Sequence, residues 1–264
     1  MSRLNRENSE PPYYYRSPGE LLAELRIEEP GDIQIEAIAQ YCGATVLYEP
    51  LEGSEARLIG YRQRALITID SKASLARQRF SAAHELGHWM WDRGRMAFAC
   101  AEKQFNSEWS KDNPERRANR YAEELLLPER MFRRILAEEQ GEELPLAYVQ
   151  RLAQRFQTSL TATAIRYVEL SFRPAMLICS EHGVRRWYAR SGPVPWSYRL
   201  KRELSKETLA VSRLGAGENG PSHGIVPAQA WIDLREGAFA PLPDVLHEDS
   251  LKISADLVLT LLSW

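Results

Sequence analysis

The sequence predicts an α+β protein with more than one compact unit, and three observations carry that reading. Short segments rich in β-branched and aromatic residues crowd together between residues 44 and 69. Apolar residues at helical spacing, in runs opened by capping residues, surround them and continue to about residue 170. From Phe172 the texture changes to a hairpin and further apolar, strand-like runs. A chain of 264 residues also divides more naturally into two or three units around separate cores than into one.

Residues 1–16 are polar and proline-bearing and read as a flexible N-terminal arm, although their Tyr13-Tyr14-Tyr15 run could dock on the body. Ser17-Pro18-Gly19-Glu20 has the form of a capping box, with Ser as N-cap, Pro at the first helical position and Glu at the third, and predicts a helix to about Ile27. Pro30-Gly31 breaks it. Asp32 is the expected cap of a second helix through Ile35, Ile38 and Ala39, which Gly43 ends. Ala44 to Tyr48, Ala56 to Tyr61 and Ala65 to Ile69 read as strands of one small sheet. Ser71 or Ser74 opens a helix through Leu75, Phe80, Ala83, Gly87 and Met90 that stops near Asp92-Arg93-Gly94. Asp112 or Asn113 caps the next, which runs from Pro114 to Leu127, and Pro128 to Ala137 is helical again. Leu144 to Leu170 holds two helical stretches separated by Gln157-Thr158-Ser159, a helix-turn-helix-like layout. Beyond it, Ala175 to Ser180 and Val184 to Arg190 flank Glu181-His182-Gly183 as a hairpin, and Tyr198 to Glu207 reads as a polar helix. Gly224 to Ile232 and Leu251 to Leu262 read as strands or apolar core segments.

Composition narrows the class. With 44% hydrophobic and 27% charged residues the chain is that of a globular protein, without a biased tract that argues for disorder. A formal charge of -2 leaves no global electrostatic footprint for nucleic acid or an anionic membrane, so such a partner would have to be bound locally. Cys42, Cys100 and Cys179 are widely spread and form no C-x-x-C pair, which favours reduced thiols. No apolar run of a secretory signal stands near the start, and a cytoplasmic location follows as an expectation. The most apolar stretch, Leu257 to Trp264, is too short to span a bilayer, so no membrane association is expected.

The chemistry concentrates at His84-Glu85-Leu86-Gly87-His88. Residues four apart on an α-helix differ by about 40° in direction, so His84 and His88 share a face and one metal ion can reach both. Glu85 lies about 100° around the axis, wrong for a ligand to that ion but placed to take a proton from a water activated there. Gly87, lacking a side chain, allows a neighbouring element close approach beside this face. A catalytic site of the zinc type needs a third protein ligand. The extension H-E-x-x-H-x-x-G-x-x-H is absent, because Trp91 and Gly94 stand where its glycine and histidine would be. Glu115 is the best candidate for that ligand, since Ala118, Asn119, Ala122 and Leu126 fall on the same side of its helix; the competing reading is that Glu115 merely favours the helix N-terminus. Tyr121, Arg77 and a distant histidine remain open as donors to a developing oxyanion.

These residues resemble the ImmA/IrrE metallopeptidases, whose pattern joins HELGH to E-x-x-A-N-x-x-A-x-x-L-L-x-P. Here the second part reads from Glu115 through Ala118, Asn119, Ala122, Leu125 and Leu126 to Pro128, and the resemblance spans about residues 21–170. It implies a zincin-like metallopeptidase domain, with His84, His88 and Glu115 as metal ligands and Glu85 as catalytic base. Asn119 matches a motif asparagine, expected to support a ligand. Zinc is the expected metal, and manganese or iron suits the same ligands. The resemblance further implies a GAF-like α/β domain at the C-terminal end, a fold that often holds small-molecule sensors, and hence an unidentified small-molecule ligand. The implied substrate is a protein: an XRE-type (DdrO-like) helix-turn-helix repressor, cleaved so that radiation and DNA-damage response genes are induced.

The expected organisation is therefore an arm over 1–16, the metallopeptidase domain over 17–141, the helix-turn-helix-like module over 142–170 and the GAF-like domain over 171–264. The second helix of the module offers Thr161, Thr163 and one Arg166, little basic charge for phosphates, which disfavours direct DNA binding. His182, His223 and His247 could line a pocket in the tail, although isolated histidines are more often surface or structural groups. The rival from another class is a DNA-binding transcription regulator with a structural metal site and a GAF-like sensor.

Overall fold

Local capping signals place most elements in the computed structural model, which describes residues 14–93, 113–139, 146–215, 221–237 and 240–264. Ser17 and Glu20 close both halves of a capping box, and α1 (Pro18–Glu24) starts there. It stops short of the expected Ile27, and Arg26 turns the chain at φ 53°. Asp32 does not cap the second helix: Pro30–Asp32 forms a turn of 3-10 helix, and Gln34 precedes α2 (Ile35–Tyr41) without a side-chain cap bond. Gly43, at φ 81°, turns the chain from α2 into β1 (Ala44–Glu49), a conformation a Cβ would strain.

With β2 (Ala56–Tyr61) and β3 (Arg64–Asp70), β1 makes a three-stranded sheet in the order β1-β3-β2. β3 runs parallel to β1 and antiparallel to β2. Leu58 opposite Ile67 and Ala56 opposite Ile69 bury their side chains on one face of it. Ser74, one of the two expected caps, opens α3 (Leu75–Asp92). The helix is tied to the sheet through Trp89, whose indole N–H donates to the Cys42 carbonyl at 2.9 Å. Its ring occupies the space that a Cβ at Gly60 would enter, 2.8 Å away. α4 (Pro114–Leu126) follows Asn113 as cap, then α5 (Glu129–Glu138). Residues 1–13, most of the expected arm, and Cys100 lie outside the described residues.

The chain divides into two compact units, Met1–Phe132 with Arg155–Thr158, and Arg133–Gln154 with Ser159–Trp264. Between α6 (Leu146–Phe156) and α7 (Leu160–Glu169), Gln157 takes φ 54°, the left-handed conformation that glycine commonly supplies in such a turn. Ser159 caps α7. β4 (Ala175–Glu181) and β5 (Val184–Arg190) pair through His182 and Gly183, both at positive φ (51° and 78°), as a tight hairpin turn requires.

In the second unit five strands form an antiparallel sheet in the order β5-β4-β10-β9-β7, with β7 (Ser222–Pro227), β9 (Val245–Lys252) and β10 (Leu257–Ser263). The apolar stretch at the end of the chain is thus strand β10, hydrogen-bonded on both sides. The polar helix expected over residues 198–207 is corrected. Tyr198–Leu200 is a strand, β6, paired with β8 (Ile232–Leu234), because Tyr198 and Leu200 are buried while Arg199 between them is exposed. A short helix, α8 (Leu209–Gly215), follows. Met176, Ile178, Val226, Trp231, Leu246, Val258 and Leu262 form this unit's core. Glu248 is fully buried: one carboxylate oxygen accepts from the Ala210 N–H at 2.7 Å and the Ser250 hydroxyl at 2.9 Å, the other from the Trp231 indole at 2.8 Å.

The architecture is mixed α+β. Among the described residues no helix is long and apolar enough to cross a membrane.

Candidate metal centre

Two helix starts and one missing side chain assemble the site. Ser74 sets the beginning of α3 and carries His84 and His88 a turn apart on its C-terminal half. The Asn113 side chain accepts from the Glu115 N–H at 2.9 Å, so Glu115 falls in the first turn of α4. Gly87 lets the helices meet: a Cβ there would lie 3.0 Å from the Tyr121 Cβ, 3.1 Å from the Ala118 Cα and 3.2 Å from the Ala118 carbonyl oxygen. Ala118 and Ala122, buried on α4, complete that close packing.

The three side chains named as ligands converge. His84 Nε2 lies 3.2 Å from one Glu115 oxygen, His88 Nε2 lies 3.3 Å from the other, and the two Nε2 atoms are 3.1 Å apart. One ligand atom from each residue lies within 4.8 Å of the others, so the group could hold a metal ion. Such spacings suit a tetrahedral ion whose bonds to nitrogen and oxygen are about 2.0–2.2 Å long. The far side of each ring supports the same use. His84 Nδ1 is 2.9 Å from Asn119 Oδ1, an acceptor that would hold a proton on Nδ1 and leave the Nε2 lone pair to a bound ion. His88 Nδ1 faces the Asp92 carboxylate at 3.8 Å, which favours the same tautomer. When their Nε2 atoms carry protons, hydrogen bonds from His84 and His88 hold the Glu115 carboxyl well below the usual carboxylate range, and a bound ion would displace those protons.

Burial is graded across the site. Glu85 is 2% exposed and His88 7%, while the Glu115 side chain is 48% exposed, which leaves one side open to solvent. Of the groups left open as oxyanion donors, Arg77 pairs with Glu55. Tyr121 is buried, its hydroxyl has no hydrogen-bond partner among the described residues, and burial pushes its phenol pKa up. His182, His223 and His247 belong to the other unit. Asp92 was missed from sequence, although its i,i+4 spacing from His88 is the same argument that paired the histidines. Tyr14 and Tyr15 take the docked alternative rather than the flexible arm. The Tyr14 hydroxyl donates to the Arg93 carbonyl, and the Tyr15 ring packs on Trp91 with centroids 4.7 Å apart. No spacing rule decides between docking and a free arm.

Comparison with known proteins bears on this stretch. Residues 39–167 match the model of the Peptidase_M78 family, described as the IrrE N-terminal-like domain. No curated protein matches the chain. Among solved structures, a Mycobacterium tuberculosis transcriptional regulator is similar over 93% of this chain and 86% of its own, at 12% identity and a TM-score of 0.56, a likeness of fold. Residues 39–167, which carry the whole His84, His88 and Glu115 cluster, are thus similar to the IrrE N-terminal-like domain of the Peptidase_M78 family.

Proposed function

We propose that the chain is a site-specific metalloprotease akin to IrrE, the radiation-response regulator of Deinococcus, and that it cleaves an XRE-type (DdrO-like) repressor to induce DNA-damage response genes. The observation that carries the protease reading is the convergence of His84, His88 and Glu115 beside a buried Glu85 within a peptidase-family domain. His84 and His88 would hold the ion through Nε2 with Asn119 and Asp92 beside their rings, and Glu115 would add the anionic ligand. Zinc at these ligands, or manganese or iron, would polarise the scissile carbonyl and ease deprotonation of the attacking water. Glu85 takes that proton on its carboxylate and passes it to the leaving amine. Replacing Glu85 with Gln should abolish repressor cleavage while zinc content stays unchanged; a fully active Glu85→Gln protein would sink the assignment.

The second unit's five-stranded antiparallel sheet supports a GAF-like sensor or docking domain that gates the site. The rival DNA-binding regulator draws on the α6–α7 pair and on the name of the similar structure. Burial speaks against α7 as a reader of bases: Thr163 is fully buried with its hydroxyl on the Ser159 carbonyl, and Arg166 is 17% exposed beside Glu169. Salt-dependent, sequence-specific DNA binding by the full chain would restore the rival.

A further inference from the structure

The second unit contains a cavity of about 130 Å³ that the metal centre does not use. Three strands build its floor by register. His223 on β7 sits directly opposite Asp249 on β9, Leu261 on β10 sits opposite Asp249 from the other side, and Ser263 pairs with His247. The His223 and His247 rings stack with centroids 6.4 Å apart and planes 16° from parallel, and form one wall. Arg173 lies at the exposed rim.

Asp249 is the group that asks for a ligand. It is 4% exposed, its Oδ2 accepts from the Leu146 N–H at the start of α6, and its Oδ1, equally buried, has no hydrogen-bond partner among the described residues. A buried carboxylate oxygen left in this state is costly, and a ligand N–H would satisfy it. Burial raises the Asp249 pKa, while the Leu146 N–H and His223 pull it back. Arg173 offers the opposite charge, and its guanidinium makes no hydrogen bond or ion pair among the described residues. A bare metal ion does not suit this lining: the guanidinium repels it, and His223, His247 and Asp249 do not converge as His84, His88 and Glu115 do. A simple anion is repelled by Asp249. The cavity is close in size to one of about 150 Å³ that accepts benzene, so its ligand has few heavy atoms.

We propose that this cavity binds a small zwitterion of the α-amino-acid class, its ammonium donating to Asp249 Oδ1 and its carboxylate meeting Arg173. The site is independent of the protease reading and stands or falls without it.

The test is calorimetric titration of the full-length protein with each common L-amino acid to about 10 mM, with sodium acetate and methylammonium chloride as single-charge controls. At least one amino acid should bind and raise the melting temperature with concentration, and both controls should bind at least about tenfold more weakly, a difference of about 1.4 kcal/mol. Asp249→Asn keeps an oxygen for the Leu146 N–H and should weaken binding at least about tenfold. Arg173→Ala, at an exposed position, should do the same without altering the fold. Absence of binding by every amino acid overturns the proposal, as does binding that neither variant weakens. Acetate binding as tightly as the best amino acid would make this a plain anion site and overturn the zwitterion.

Discussion

At Gly87 a hydrogen stands where a methyl group would press on Tyr121 and Ala118 at 3.0–3.2 Å, so the approach of α4 that delivers Glu115 to the histidines depends on that residue having no side chain. Gly87→Ala should push the helices apart at a cost of about 1–3 kcal/mol. A lowered Tm together with weaker zinc binding in a chelator competition would show it; unchanged values of both would refute the account. The thiols give a second residue-scale prediction. Burial pushes the Cys42 thiol from 9.0 up to about 11, so almost no thiolate exists at pH 8. A raised folded-state pKa also means that the associated stability is present below 9.0 and is lost as pH rises toward about 11. Cys42 should resist iodoacetamide at pH 8 until denaturant is added, read by mass spectrometry of the peptide. At this scale His84, Glu85, His88 and Glu115 were legible because chemistry fixes their types and spacing. The support from Asp92 was legible in principle, and the packing of Tyr15 on Trp91 was not, because it joins residues distant in sequence.

Elements were readable where a local signal decides them. Ser17, Ser74 and Asn113 each accept a backbone N–H at the start of a helix, and each satisfies a donor the helix itself leaves orphaned. The hairpin at His182-Gly183 was readable for the same reason. The segment from Tyr198 was misread as helical because polar residues between the few apolar ones mask alternation, and three residues are too few to show a period. What makes it a strand is its partner β8, some thirty residues on. Glu248 tells a similar story within β9: a charged residue in an apolar run suggests an exposed position, yet it ties α8, Trp231 and Ser250 together inside the core. Glu248→Ala leaves the Trp231 and Ala210 N–H groups buried without an acceptor and should cost about 2–5 kcal/mol, read as a lowered urea midpoint. Glu248→Gln, which retains an acceptor oxygen, should lose less.

For the whole molecule, a metal at the candidate centre would link ion binding to stability. Binding only to the folded state at a zinc concentration of about 100 Kd adds roughly 2.7 kcal/mol, so chelation should lower the Tm of the full-length chain and zinc should restore it. A Tm indifferent to chelation would mean that the cluster holds no metal in solution. By itself the sequence pointed to the mixed α+β class, to most helix starts and to His84, Glu85, His88 and Glu115 as candidate site residues, because capping, turn chemistry and metal coordination constrain residue type over a few positions. Tertiary structure alone decided that Glu115 reaches both histidines and that Asn119 meets the His84 ring. It also decided that His223 and Asp249 face each other in a cavity. Those contacts depend on how closely two helices pack and on which strands pair, and neither is written in the spacing of residues along one chain segment.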